Sequence, residues 1–97
     1  SDLNILAMEE VETAYYLRMN AIDKPGVLAD VTNILGDSGI SIEAILQKEP
    51  VSGARHVPII FLTQRIKEQN MNDAIARIEQ LAAIDGTVMR IRMETLG

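Results

Sequence analysis

The chain has 97 residues, of which 47% are apolar and 24% are charged, with a formal net charge of −5 and no cysteine. This composition is that of one small soluble domain with a single core, and the lack of cysteine excludes disulfides and thiolate metal sites. The nine basic residues are scattered among only two Tyr and one Phe, so we expect no nucleic-acid partner.

Membrane insertion is not expected either, because no apolar run is long enough to span a bilayer. We therefore predict a cytoplasmic location. The chain opens at Ser1 with an acidic segment whose few apolar residues show no sustained period. We interpret residues 1–13 as an arm or linker from the remainder of a longer polypeptide, and residues 14–97 as the domain.

A strand followed by a helix is predicted between residues 15 and 35. Side chains alternate along residues 15–22, which is typical of a strand with one buried face. From Val27 the apolar residues recur with helical spacing. The helix is expected to stop at Asp37-Ser38-Gly39, with Gly39 or Gly36 in a left-handed conformation. The buried set comprises Tyr15, Leu17, Met19, Ala21, Val27, Leu28, Val31, Ile34 and Leu35.

Two further strands are predicted at residues 40–48 and 57–63. The alternation of the first breaks at residues 44–46, which indicates a bulge or burial on both faces. The second is apolar on both faces, as expected of a central strand.

A second helix is predicted to begin at Asn70, an N-cap residue, with Asp73 at the third helical position of a capping-box-like pattern. The turn Asp85-Gly86 then precedes a last strand at residues 87–94. Four methionines occupy regular positions in the predicted helices and strands, and their expected role is core packing: Met19, Met71, Met89 and Met93.

The order βαββαβ predicts an α+β ferredoxin-like sandwich, in which a four-stranded antiparallel sheet carries both helices on one face. The first and third strands are then central. The other sheet face is bare in a monomer, and we expect it to carry Tyr16 or Ile22, residues of the third strand, and the set that includes Ile45. A bare apolar face and an open edge favour self-association, as a homodimer or larger assembly formed through the edge of the second strand.

Catalysis finds little support in the sequence. His56 is the only histidine, and no nucleophile motif, Gly-rich phosphate loop or metal-ligand cluster is present. We expect no enzymatic activity and no metal in this chain. The turn Asp23-Lys24-Pro25-Gly26 is more informative, because it leads into a helix N-terminus with unpaired amides that attract anions. It predicts a pocket for a carboxylate-bearing small molecule, or else a plain turn.

This turn resembles part of a known family. Asp23-Lys24-Pro25-Gly26-Val27-Leu28, followed by Val31, Ile34-Leu35 and Gly39-Ile40-Ser41-Ile42, is similar to the ACT domain, an amino-acid-sensing module of biosynthetic enzymes. The resemblance covers about residues 14–94. It implies the ferredoxin-like fold, side-by-side pairing of two copies, and an amino acid bound between the turn of one copy and the second strand of the other.

Further segments resemble the C-terminal ACT domains of bacterial homoserine dehydrogenases: Tyr15–Met19, Ser41-Ile42, Gln47-Lys48 and Ile91–Glu94. This resemblance implies a parent oxidoreductase whose NAD(P) binds in a catalytic part that precedes the arm, and no cofactor in this chain. It also implies threonine feedback control of the aspartate-semialdehyde/homoserine step in threonine, methionine and isoleucine biosynthesis.

The same resemblance implies the ligand-binding residues. Asp23 would accept hydrogen bonds from the ligand ammonium, backbone amides near Gly26 would hold its carboxylate, and Ser41 would meet a hydroxyl. Serine-sensing relatives carry a histidine, an asparagine and an asparagine where this chain has Ala21, Asp23 and Ser41. This departure argues against serine and leaves threonine as the expected effector. Two alternatives remain: Asp23 only caps the turn, or the domain is a structural dimerisation module without a ligand. The ligand-binding set is Asp23, Lys24, Gly26, Val27, Leu28, Ser41 and Ile42.

Overall fold

A computed structural model of the chain describes residues 11–51 and 53–93. The arm predicted at residues 1–13 therefore lies mostly outside the described residues. The secondary structure follows the predicted βαββαβ order with one short strand added. No helix in the described ranges is both long and apolar enough to cross a membrane. The elements are β1 (Glu12–Ile22), α1 (Val27–Asp37), β2 (Ile42–Gln47), β3 (His56–Thr63), β4 (Ile66–Lys67), α2 (Glu68–Glu79) and β5 (Ile84–Met93).

The sheet is antiparallel, and its strands lie in the order β2, β3, β1, β5. This confirms the predicted fold, with β1 and β3 in the centre. The short β4 continues β3 along β1, because Tyr16 faces Leu62 and Thr13 faces Ile66. Three residues, 63–65, therefore oppose two residues of β1, which is a β-bulge. Apolar and polar residues do not alternate across this bulge, so the sequence does not predict β4.

One hydrophobic core fills the space between the two helices and the inner face of the sheet. It confirms the predicted buried sets of β1 and α1 except for Leu28, which is only partly buried. Tyr15, Leu17 and Phe61 are completely buried at its centre. The core is built from every second residue of β1 and β3 and from one stripe of each helix. The helical contribution is Val27, Val31, Ile34 and Leu35 from α1, and Met71, Ala74, Ile75 and Ile78 from α2.

The predicted N-cap of α2, Asn70, is wrong by three residues. The helix begins at Glu68 with Lys67 as its N-cap, because β4 leads into it directly. Asn70 therefore lies inside the first turn, and its Nδ2 donates a hydrogen bond to the Ser38 carbonyl oxygen at 3.0 Å. Asn70 thus ties α2 to the end of α1 instead of capping a helix. The predicted stop of α1 is confirmed, since Gly39 has a φ of +79°.

The side chains of β2 depart from the predictions both in the sheet face they occupy and in their exposure. The register of β2 shifts between Ile42 and Ala44, so the bulge precedes residues 44–46. Ile45 then faces Phe61 on the inner face, which corrects its predicted place on the bare face. The strand is exposed from Glu43 to Gln47, so burial on both faces is wrong. Within the described sheet β2 is an edge strand paired with β3, so few neighbours cover its side chains.

The last strand begins at Ile84, and its apolar row lies on the open face. Met89 and Ile91 face Arg18 and Tyr16, and their exposed fractions are 54% and 52%. Met93 lies on the same face and is 40% exposed. The prediction that Met89 and Met93 pack in the core of this chain is therefore wrong. The inner face of β5 instead carries Val88, Arg90 and Arg92.

Candidate functional site

A cleft of about 340 Å³ lies where β1 ends and α1 begins. The turn forms one wall, β2 the other, and the buried Ile59 part of the floor. The polar and charged groups of the cleft come from Asp23, Lys24 and Gln47. The remaining lining residues are Ile22, Pro25, Gly26, Val27 and Leu28.

Backbone hydrogen bonds fix the shape of the turn. The Asp23 amide donates to the Arg55 carbonyl oxygen at 3.3 Å, and the Lys24 amide donates to the Ile22 carbonyl oxygen at 3.0 Å. Gly26 is the N-cap of α1 and has a φ of +92°, a left-handed conformation that favours glycine. Gly26 has no side chain to cap the helix, so the N-terminus of α1 opens directly into the cleft.

The N-terminus of α1 supplies hydrogen-bond donors. The first internal bond of the helix runs from the Asp30 amide to the Gly26 carbonyl oxygen, at 3.0 Å. The preceding amides, those of Val27, Leu28 and Ala29, have no acceptor within the helix. The helix dipole also makes this end electropositive. The cleft therefore combines amide donors suited to a carboxylate with the exposed carboxylate of Asp23, which suits an ammonium group.

The structure brings five of the seven predicted ligand-binding residues to this cleft: Asp23, Lys24, Gly26, Val27 and Leu28. Ser41 and Ile42 lie at the opposite end of β2, roughly 15–20 Å along the strand from Gln47. The Ser41 carbonyl oxygen accepts a hydrogen bond from the Gln64 amide at 2.9 Å, and Ile42 faces Thr63. Within one chain, the two halves of the predicted site are therefore apart.

Gln47 is the polar cleft residue that is absent from the predicted ligand-binding set. It is the last residue of β2 and faces Ile59 on the inner side of the sheet. The signal was topological: in an antiparallel order β2, β3, β1, the end of β2 lies at the same end of the sheet as the end of β1. The predicted strand order alone could have identified it.

Other chemistry is sparse in the described residues. His56 starts β3 opposite Ile22 and is partly buried. Among residues 11–51 and 53–93, no three His, Cys, Asp or Glu side chains come together in a group that could hold a metal ion. The cleft beside α1 is the candidate site because it holds most of the predicted ligand-binding residues.

Comparison with known proteins gives a consistent picture. The family model described as the ACT domain matches residues 15–83. A homoserine dehydrogenase of Methylobacillus glycogenes is 60% identical over 95 residues, which cover 98% of this chain and 23% of the relative. The crystal structure of a homoserine dehydrogenase from Thiobacillus denitrificans matches with a TM-score of 0.88 and 57% identity, over all of this chain and 21% of that chain.

A more distant similarity is to the regulatory subunit of aspartate kinase from Thermus thermophilus, solved in a ligand-free form. The TM-score is 0.61 at 26% identity, over 81% of this chain and 50% of that chain. The chain thus spans less than a quarter of the length of the homoserine dehydrogenases that it matches.

Proposed function

The chain belongs to the ACT domain family, and we propose that it is the regulatory domain of a homoserine dehydrogenase and binds threonine. The observation that carries this proposal is the cleft at the α1 N-terminus, which offers free amides and the Asp23 carboxylate to an amino acid. Similarity to homoserine dehydrogenases over almost the whole chain supports the identity of the parent enzyme. A cytoplasmic location is part of the same proposal.

The proposed role is feedback control. The parent enzyme would interconvert aspartate semialdehyde and homoserine with NAD(P), a step shared by threonine, methionine and isoleucine biosynthesis. The usual site of a dinucleotide is a Gly-rich turn in a parallel sheet, whereas this sheet is antiparallel. In this proposal NAD(P) would therefore bind in the remainder of the enzyme. Threonine would act by linkage, through tighter binding to one arrangement of paired domains in which the enzyme is less active.

A threonine molecule can be matched to the cleft group by group. Its carboxylate would accept hydrogen bonds from the amides of Val27 and Leu28, where the helix dipole favours negative charge. Its ammonium group would donate to the carboxylate of Asp23. The side chain of Gln47, at the opposite wall, offers both a donor and an acceptor to the ligand.

The proposed homodimer completes the site. β2 pairs with β3 on one side only, and its other edge is open within the described sheet. If two β2 edges pair antiparallel about a two-fold axis, the start of one strand lies beside the end of the other. Ser41 and Ile42 of the second copy would then approach Gln47 and the turn of the first. This pairing would bring the two halves of the site together, although they lie apart within one chain.

A structural dimerisation module is the alternative function. It keeps the pairing through β2 and assigns no ligand to the cleft. The exposed apolar side chains favour pairing under both alternatives, so only ligand binding distinguishes them.

Calorimetric titration with threonine tests the proposal. We expect saturable binding by the native chain, and an affinity about tenfold to a hundredfold lower for Asp23→Ala, because a hydrogen bond between charged groups is lost. Asp73→Ala is a matched control, since it removes an exposed carboxylate on α2 away from the cleft. Serine should bind more weakly than threonine.

Two results would contradict the proposal. A folded, dimeric chain that gives no heat with threonine, with the other amino acids derived from aspartate, or with serine would support the structural module. Equal loss of affinity in Asp23→Ala and Asp73→Ala would contradict the assignment of the site to the turn.

A further inference from the structure

A second cleft, of about 440 Å³, lies beside the N-terminus of α2 and is lined by Tyr15, Glu68, Arg90 and Arg92. It is remote from the cleft of the turn. Strand β5 is the sheet edge opposite β2, and Tyr15 precedes Asp23 by eight residues of mostly extended chain, about 26 Å. Nothing in the proposed threonine site uses these residues.

The inner face of β5 supplies the charge of this cleft. Arg90 and Arg92 are two residues apart, so both side chains lie on the face that carries the helices. The guanidinium of Arg92 forms an ion pair with Glu68, the first residue of α2. The guanidinium of Arg90 donates a hydrogen bond to the Asn72 side-chain oxygen. Both cations are thereby held over the first turns of α2.

The hydroxyl of Tyr15 provides an independent indication of a ligand. Tyr15 is completely buried, and its hydroxyl oxygen has no hydrogen-bond partner among residues 11–51 and 53–93. Buried polar groups are nearly always hydrogen-bonded, because an unpaired one loses its hydration without compensation. Tyr15 faces Arg92 across the β1–β5 pair and lines the same cleft. An acceptor atom bound there would satisfy the hydroxyl.

The charges of the cleft indicate the class of ligand. Its lining holds two guanidinium groups and one carboxylate, a sum of +1. The N-terminus of α2 adds to the positive potential, and its N-cap residue Lys67 makes no side-chain cap. A guanidinium has five N–H donors, so each arginine retains several after its contact with α2. Every group in the cleft apart from Glu68 thus favours an anion.

We propose that this cleft binds a small oxyanion, either a carboxylate or a phosphate. Arg90 donates to one oxygen of the anion, and the Tyr15 hydroxyl donates to another. Glu68 keeps Arg92 in place by the ion pair and closes the side of the cleft next to α2. The site is separate from the proposed threonine site and does not depend on it.

Two-dimensional 1H–15N NMR of the full 97-residue chain tests this proposal, with inorganic phosphate and succinate titrated separately at constant ionic strength. We expect saturable shifts at the amides of residues 68–72 and 90–92 with at least one of the two anions. Tyr15→Phe removes only the unpaired hydroxyl and should weaken binding about three- to tenfold, and Arg90→Gln should weaken it further. The anion whose shifts saturate at the lower concentration identifies the class of ligand, phosphate or carboxylate.

Arg18→Gln is the matched control. It removes the same charge from β1 on the opposite face of the sheet, where Arg18 is exposed and faces Met89. Unsaturable shifts with both anions, or equal weakening by Arg18→Gln and Arg90→Gln, would overturn the proposal. Unchanged affinity in a folded Tyr15→Phe variant would overturn the role of the hydroxyl, and water would then be its partner.

Discussion

Gly26 is the residue on which the shape of the turn depends. Its φ of +92° lies in the left-handed region, and an added Cβ would meet no atom of the described residues within 4 Å, its chain neighbours aside. A substitution there is therefore unfavourable because of backbone conformation and not because of a clash. We expect Gly26→Ala to lower the free energy of unfolding by about 1–2 kcal/mol, measured by urea denaturation, and to weaken threonine binding because the α1 amides would be reoriented.

Gly36 provides the matched control for this prediction. An added Cβ there would also meet no atom of the described residues within 4 Å outside the neighbouring helix backbone, but Gly36 lies in α1 with no positive φ. Gly36→Ala should raise the free energy of unfolding by up to about 1 kcal/mol, because alanine is the better helix former. The two glycine-to-alanine substitutions should thus change the free energy of unfolding in opposite directions. A destabilisation of similar size in both variants would contradict the conformational explanation.

The junction between β3 and β4 supplies the hydrogen-bond acceptor for a buried amide near the start of β1. At this bulge the Tyr15 amide donates to the Thr63 Oγ1 at 3.1 Å, and the Thr63 hydroxyl donates to the Gln64 carbonyl oxygen at 2.9 Å. Thr63 is 4% exposed. Its hydroxyl supplies the acceptor that the backbone ladder does not offer to Tyr15, so a side chain satisfies a buried amide where the register shifts.

Thr63→Val tests this role because it keeps the shape and removes the acceptor. We expect the free energy of unfolding to fall by about 1–3 kcal/mol, since the Tyr15 amide is left buried and unpaired. Thr63→Ser keeps the hydroxyl and loses one methyl group, and should cost about 0.8 kcal/mol. Chemical denaturation of both variants decides the question, and a serine variant less stable than the valine variant would contradict it.

Sequence patterns predicted the elements well where a period is long and its buried side is unambiguous, as in β1 and α1. They failed where contacts between elements determine the structure. The bulge after Thr63 moves the start of α2 away from Asn70, and no local signal marks it. The alternation of β5 separates Met89 and Ile91 from Arg90 and Arg92, but it does not tell which row faces the helices. The same limit applies to the site, since the turn is local in sequence whereas Gln47 joins it only through strand order.

At the scale of the whole molecule, exposed apolar side chains remain at both edges of the open sheet face. Leu46 of β2 is 56% exposed and Met89 of β5 is 54% exposed. Apolar side chains in such numbers on one face of a small domain mark an interaction surface. The proposed dimer uses only the β2 edge, so the two edges should differ in their effect on association.

Leu46→Lys and Met89→Lys separate the two edges by matched changes. Both replace a half-exposed apolar side chain on the open face with a cation, at opposite ends of the strand order. If two β2 edges pair, Leu46→Lys should raise the dimer dissociation constant at least about tenfold, because each copy loses buried apolar surface and the new charges approach each other. Met89→Lys should leave the constant unchanged. Sedimentation equilibrium over a range of protein concentrations measures both. Dissociation by Met89→Lys but not by Leu46→Lys would instead indicate that copies associate through the β5 side, and Ser41 would then have no route to the cleft of a second copy.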